Sequence, residues 1–309
     1  MINQSTLAAP VFFSGIGVHS GNRIHVALRP AESGTGIVFH RRLEDRTVAI
    51  KACAENVVDT RMATVLGRDG ATVSTVEHLL ATLYALGIDN LHIDIDGPEV
   101  PIMDGSALFF AEQIRGVGIK RLRATRKYLT IRKPINLVSG EKRITVIPSR
   151  FFRITFDIAF DHPSIALQNH FLKVTPESFI QDVAPARTFG FLHEYEYLKA
   201  RDLAKGASLE NTVVVGEKSI LNPEGLRFHD EFVRHKILDI IGDLSLLGYP
   251  ILGHVKAYKS GHQANHEMVT QILTSPQNWK LAEFSQKDLN AALETRPSPY
   301  LVEPVLSEA

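Results

Sequence analysis

The sequence has one cysteine, no net charge and no long apolar run, and each shortage removes a class of function. A lone Cys53 excludes an intramolecular disulfide and every multi-cysteine zinc cage, so any metal here needs histidine and carboxylate ligands. Thirty-four basic residues cancel 34 acidic ones, leaving no global field to draw the protein onto nucleic acid or an anionic membrane. Phosphate recognition must then be local. Nothing approaches the ~18 consecutive apolar residues of a membrane span, so no stable membrane insertion is expected. The opening MINQSTLAAPVFFSGIGVHSG is apolar in part, but Pro10, Gly15, Gly17 and Gly21 interrupt it and no positive side chain precedes it. It reads as a strand, not a signal peptide, and a cytoplasmic location is expected.

What is present is most concentrated in FVRHKILDIIGDLSLLG, Phe232 to Gly248. Its apolar residues cover most of a helical circumference, which predicts a buried helix. Yet His235, Asp239 and Asp243 recur every four residues and so share one face, with Gly242 on the same side. Two carboxylates and an imidazole are expensive to bury unless paired or bound to a cation. Taken alone, His235 and Asp239 read more simply as a structural hydrogen-bonded pair than as metal ligands.

At 309 residues, two domains are expected. Strands are predicted at Val11 to Phe13, Ile24 to Leu28, Gly36 to His40 and Leu91 to Ile95. Helices are predicted from about Ser74 to Leu86, with Ser74 and Glu77 as a capping box, and from about Ala107 to Ile114. The basic run KRLRATRK, Lys120 to Lys127, reads as a junction. Strands resume at Leu129 to Ile131, Arg143 to Ile147 and Arg153 to Phe160. Phe191 to Leu209 is charged and amphipathic, His254 to Tyr258 reads as a strand and His266 to Leu273 as a helix. Beyond Glu283 a loosely attached tail is expected. The halves echo each other: Ile24 to Pro30 parallels Arg143 to Pro148, and HLLATLYALG from His78 lies on DIIGDLSLLG from Asp239. A true duplication predicts two similar α/β layers meeting at the metal.

Glu77-His78 is the second constellation. His78 could be a core histidine, or a third ligand beside His235 and Asp239; three ligands with one open position are what a catalytic zinc site keeps. His262 follows Gly261, which could form a tight turn aiming the imidazole over a site, and Asp243 is placed to hold that imidazole protonated. Lys142, Lys236 and Lys259 are candidates for phosphate contacts.

STVEHLLATLYALGIDN, the PIMDGSA turn, FDHP, ARTFGF, VRHKILDIIGDL and YKSGH, in this order between about Val11 and Met268, resemble the UDP-3-O-acyl-N-acetylglucosamine deacetylases of lipid A synthesis. The resemblance implies an α+β fold of two similar domains, each a sheet packed on helices, with zinc at their junction. The corresponding boundaries are 1–125, 126–283 with an acyl-passage insert at about 191–215, and a tail at 284–309. It implies His78, His235 and Asp239 as ligands of one Zn2+, Fe2+ being possible, Glu77 as general base, and His262 held by Asp243 as the partner acid. Thr188 would stand near the oxyanion and Phe189 in the acyl passage, while Lys142, Lys236, Lys259 and Phe160 would face nucleotide and phosphates. The implied partner is a UDP-linked acylated amino sugar, and the implied state a monomer. Ala63 and Ala159 depart from better-known members, which often carry a cysteine and a polar residue there. Two readings compete: a non-haem iron oxygenase, since two histidines and a carboxylate also form that facial triad, and a catalytically silent nucleotide-sugar or lipid-binding protein.

Overall fold

The computed structural model describes residues 1–285 and 287. It is an α+β protein in which one strand order occurs twice. The first sheet contains β1 (Val11–Ile16), β2 (Arg23–Pro30), β3 (Ile37–Arg42), β4 (Thr47–Lys51) and β5 (Leu91–Ile95), in the order β1-β2-β5-β3-β4. All its neighbours are antiparallel except β5 and β3. The second sheet repeats this with β6 (Ile135–Ser139), β7 (Lys142–Pro148), β8 (Phe152–Ala159), β9 (Leu167–Lys173) and β10 (Ile251–Tyr258), in the order β6-β7-β10-β8-β9. Only β10 and β8 run parallel in that set. Lys127–Ile131 and Trp279–Glu283 extend this sheet beyond β10.

The helices repeat as well. Helix α1 (Glu77–Ala85) precedes β5 and α2 (Leu108–Val117) follows it; α3 (Glu231–Ser245) precedes β10 and α4 (His262–Leu273) follows it. The sequence echo is therefore structural: β2 corresponds to β7 and α1 to α3. Gly87 and Gly248, aligned by that echo, both take left-handed backbone just past their helices (φ 76° and 75°), where a side chain would be strained. No helix among the described residues is long and apolar enough to cross a membrane.

Strand residues alternate between a buried and an open face. Ile24, Val26 and Leu28 of β2, and Phe152, Ile154, Phe156 and Ile158 of β8, point into the core. Helices α1 and α3 pack against each other in the middle of that core and are buried nearly all round. Gly242 lets them meet. A Cβ at this position would lie 2.2 Å from the Glu77 carbonyl oxygen, and backbone cannot swing aside as a side chain can. Gly242→Ala is therefore expected to cost about 1–3 kcal/mol, seen as a fall in melting temperature of several degrees. An unchanged melting temperature would mean that the helices part without loss.

Two local expectations fail. Ser74 does not cap α1: its backbone pairs with Pro98 and Val100, and Thr75 turns into left-handed backbone at φ 55° with its hydroxyl on Glu99. The helix starts at Glu77 with Val76 at the cap position and no side-chain cap. The basic run, read as a junction, carries a strand, Ile119–Thr125, antiparallel to Asn3–Leu7. Gly261 makes no tight turn; its backbone is extended at φ −150° and the left-handed residue is Lys259 at φ 52°, so His262 opens α4. The predicted tail lies outside the described residues, except that Phe284 accepts from the Ile2 N–H and packs on Tyr128.

Candidate metal and catalytic site

The N-terminal turn of α1 and the polar stripe of α3 face each other where the helices cross. His78 Nε2 lies 3.8 Å and His235 Nε2 3.4 Å from Asp239 Oδ1, with all three side chains buried. Ligand atoms of the three lie within 4.8 Å of one another, the only such group of histidine, cysteine or acidic residues among those described. His235 Nδ1 is 3.1 Å from the Ala186 carbonyl oxygen, which can only accept. The proton must therefore sit on Nδ1, and a bare Nε2 lone pair faces a carboxylate. Two acceptors aimed at one point in a buried site fit a shared cation. Burial, then the neighbouring His235, pushes His78 down to about 3, and burial lowers His235, so both imidazoles are neutral donors. Burial would raise Asp239, but Lys236 and the surrounding histidines hold it well below the usual carboxylate range. The Lys236 ammonium touches Asp239 Oδ2.

Glu77 and His262 sit beside this group. Glu77 Oε1 is 3.8 Å from His262 Nε2, and Oε2 accepts from the Thr64 N–H at 3.1 Å. Burial pushes the Glu77 carboxyl up to about 7. Burial alone would lower His262, but Asp243 and Glu77 outweigh it and hold the imidazole at about 9. His262 Nδ1 donates to Asp243 Oδ2 at 2.9 Å; Asn265 Nδ2 donates to the same oxygen at 2.8 Å, and Thr64 Oγ1 to Oδ1 at 2.5 Å. A base-like carboxyl and an acid-like imidazolium thus share one buried pocket.

A cavity of about 670 Å3 opens from this point. Glu77, His78, His235, Asp239 and His262 form one end, with Lys236, Thr188, Phe160 and Phe189 also in its wall. Leu192, Leu198, Leu209, Val214 and Leu221 make an apolar arm. Thr188 is fixed by its N–H to the Gly105 carbonyl (2.8 Å), so the Asp104-Gly105 turn of the first half braces a wall of the second. Phe189 packs edge-on to Phe232 (4.9 Å) and Phe160 (5.9 Å). Lys142 and Lys259 are not in the wall. Arg143 pairs with Tyr258, which leaves the two lysines at the same end of adjacent strands, and Lys259 Nζ is bound to Glu141 at 2.9 Å.

Several site residues were not foreseen. Thr64 and Asn265 carry no sequence signal, being ordinary polar residues that matter through contacts made across the fold. Glu231 did carry one: it lies four residues before His235 and continues the stripe one turn upstream. Its carboxylate is buried and binds Arg187.

The comparisons agree along nearly the whole chain. The model of the family described as UDP-3-O-acyl N-acetylglycosamine deacetylase matches residues 4–274. The UDP-3-O-acyl-N-acetylglucosamine deacetylase of Syntrophotalea carbinolica is 60% identical over 293 residues, 95% of each chain. That of Geobacter sp. (strain M21) is 56% identical over 291 residues, 94% of this chain and 95% of its own. The one of Myxococcus xanthus is 50% identical over 287 residues, 93% and 91% of the two chains. With the family model matched over most of the chain and relatives 50–60% identical over more than nine-tenths of each chain, this chain belongs to the UDP-3-O-acyl-N-acetylglucosamine deacetylase family.

Proposed function

We propose that the protein hydrolyses the N-acetyl group of UDP-3-O-acyl-N-acetylglucosamine, releasing acetate and the free amine that lipid A synthesis uses, with Zn2+ held by His78, His235 and Asp239. Fe2+ suits the same donors. The observation that carries this reading is the joining of that donor set, an acid–base pair and an apolar arm in one cavity. A divalent ion there supplies Lewis-acid polarisation of the acetamide carbonyl and makes the attacking water more acidic. Glu77 takes the water's proton through the oxygen not tied to Thr64. His262, its Nδ1 proton engaged by Asp243, presents Nε2–H towards the same space and serves as the partner acid. Thr188 offers a hydroxyl to the developing oxyanion. Lys236 holds Asp239 and adds positive charge at the cavity wall.

Phe189 and the leucine arm accommodate the acyl chain, with Phe160 beside them towards the nucleotide. Lys142 and Lys259 meet the diphosphate outside the wall, Lys259 exchanging Glu141 for a phosphate. The chain divides at about 125 into domains 1–125 and 126–283, which meet at α1 and α3. Because every proposed group comes from one chain, a monomer suffices. A nucleotide-activated substrate suits the cytoplasm.

The test is acetate release from UDP-3-O-acyl-N-acetylglucosamine by zinc-loaded protein, alongside metal analysis. Release in step with metal content is expected; metal-loaded protein that binds the substrate without releasing acetate would overturn the reading. Phe189→Trp should narrow the arm and lower kcat/KM for long acyl chains about tenfold relative to short ones. An unchanged chain-length profile removes Phe189 from the passage.

A further inference from the structure

We propose that Glu231 is a positioning residue of the metal centre, acting through the single peptide unit that joins Ala186 to Arg187. This rests on the reading of His235 as a metal ligand. Glu231 opens the stripe Glu231, His235, Asp239, Asp243 on α3, and it is the one member that does not border the catalytic groups. Its carboxylate is 1% exposed and its partner Arg187 3%. Arg187 Nε meets Oε1 at 2.9 Å and Nη2 meets Oε2 at 3.2 Å. Two of the three remaining guanidinium protons go to Glu224 Oε1 (2.6 Å) and the Gly225 carbonyl (2.7 Å), and Arg187 does not line the cavity.

A buried ion pair is weak grounds for stability, because an apolar pair of the same volume often serves as well. What sets this one apart is a further bond: Glu231 Oε1 accepts the Arg187 backbone N–H at 3.0 Å. The carbonyl of that same peptide, Ala186 O, accepts the Nδ1–H of His235 at 3.1 Å. A planar trans peptide carries its N–H and C=O on opposite edges. The unit is therefore strung between two α3 side chains one helical turn apart.

Three consequences follow for His235. The carbonyl is held where only the Nδ1–H tautomer satisfies it, which leaves Nε2 free to coordinate. A carboxylate on the N–H edge polarises the peptide and makes its oxygen a stronger acceptor. A stronger acceptor at Nδ1–H raises the basicity of Nε2, the usual effect of such outer partners on a ligating histidine. Arg187 aligns the Glu231 carboxylate by its two-pronged fork. Thr188 and Phe189, next in the chain, are positioned by the same anchor.

The test uses full-length Glu231→Gln and Arg187→Lys beside wild type and His235→Ala. Zinc affinity is measured by chelator competition on metal-stripped protein, and the His235 tautomer by imidazole 1H–15N spectra of the metal-free form. Glu231→Gln is expected to weaken zinc binding about 10- to 100-fold and to mix the tautomers. Arg187→Lys should act in the same direction and supplies the answer where Glu231→Gln yields no folded protein. Zinc affinity within twofold of wild type, with a single Nδ1–H tautomer and only a lower melting temperature, would reduce the pair to a structural one. His235→Ala that still binds zinc tightly would instead overturn the ligand reading on which the inference rests.

Discussion

Glu77→Gln is expected to fold, hold its metal and turn over about 10²- to 10⁴-fold more slowly than wild type. The substitution is close to isosteric, and the one hydrogen bond that Glu77 accepts, from the Thr64 N–H, can be accepted by a carboxamide oxygen. There is no helix cap to lose, because Ser74 is turned away from α1. What disappears is a site for the proton. A carboxyl raised by burial to about 7 is poised to gain and lose that proton near neutrality, whereas an amide is not.

The same pair sets the pH profile. With Glu77 as the proposed base and His262 as the proposed acid, activity should need Glu77 ionised, which favours pH above about 7, and His262 protonated, which favours pH below about 9. The rate should therefore peak between those values and fall on both sides, the limbs belonging to the coupled pair and not to either residue. Rate, metal content and melting temperature of Glu77→Gln beside wild type decide the matter. A near-normal rate would leave Glu77 as an anchor for the Thr64 segment, with the base elsewhere.

Removing Asp239 should do more, abolishing metal binding and activity together. In Asp239→Ala the site keeps two neutral imidazoles and loses its only anionic donor, while the Lys236 ammonium, 19% exposed, loses its partner. That charge then faces the imidazoles and repels any cation brought to them. Stranding one member of a buried pair typically costs about 3–5 kcal/mol, so a lower melting temperature should accompany the metal loss. Asp239→Asn separates the two effects, since it keeps the volume but removes the charge that a divalent ion requires. Metal analysis after dialysis against a chelator is the measurement. A full equivalent of tightly held metal in Asp239→Ala or His235→Ala would sink the ligand assignment.

The sequence by itself determined what depends on one element at a time. Period-two alternation placed β2, β5, β7 and β8, and period-four spacing put His235, Asp239 and Asp243 on one face of a buried helix, because side-chain direction along a helix or strand follows from backbone geometry alone. The six ordered motifs led to the family, and the faint echo between halves is a repeat of strand order. Capping is also local, yet Ser74 failed to cap α1 because its backbone is taken up in an isolated β-bridge to the segment Pro98 to Val100, with Thr75 held on Glu99. Only the tertiary structure decided which faces meet. Thr64 reaches Asp243 across 179 positions, Arg187 reaches Glu231 across 44, and His78 joins the α3 stripe only because Gly242 lets the Glu77 backbone approach. Such partners are chosen by how two helices pack and by which small residue permits contact, and one-dimensional periodicity carries no record of either.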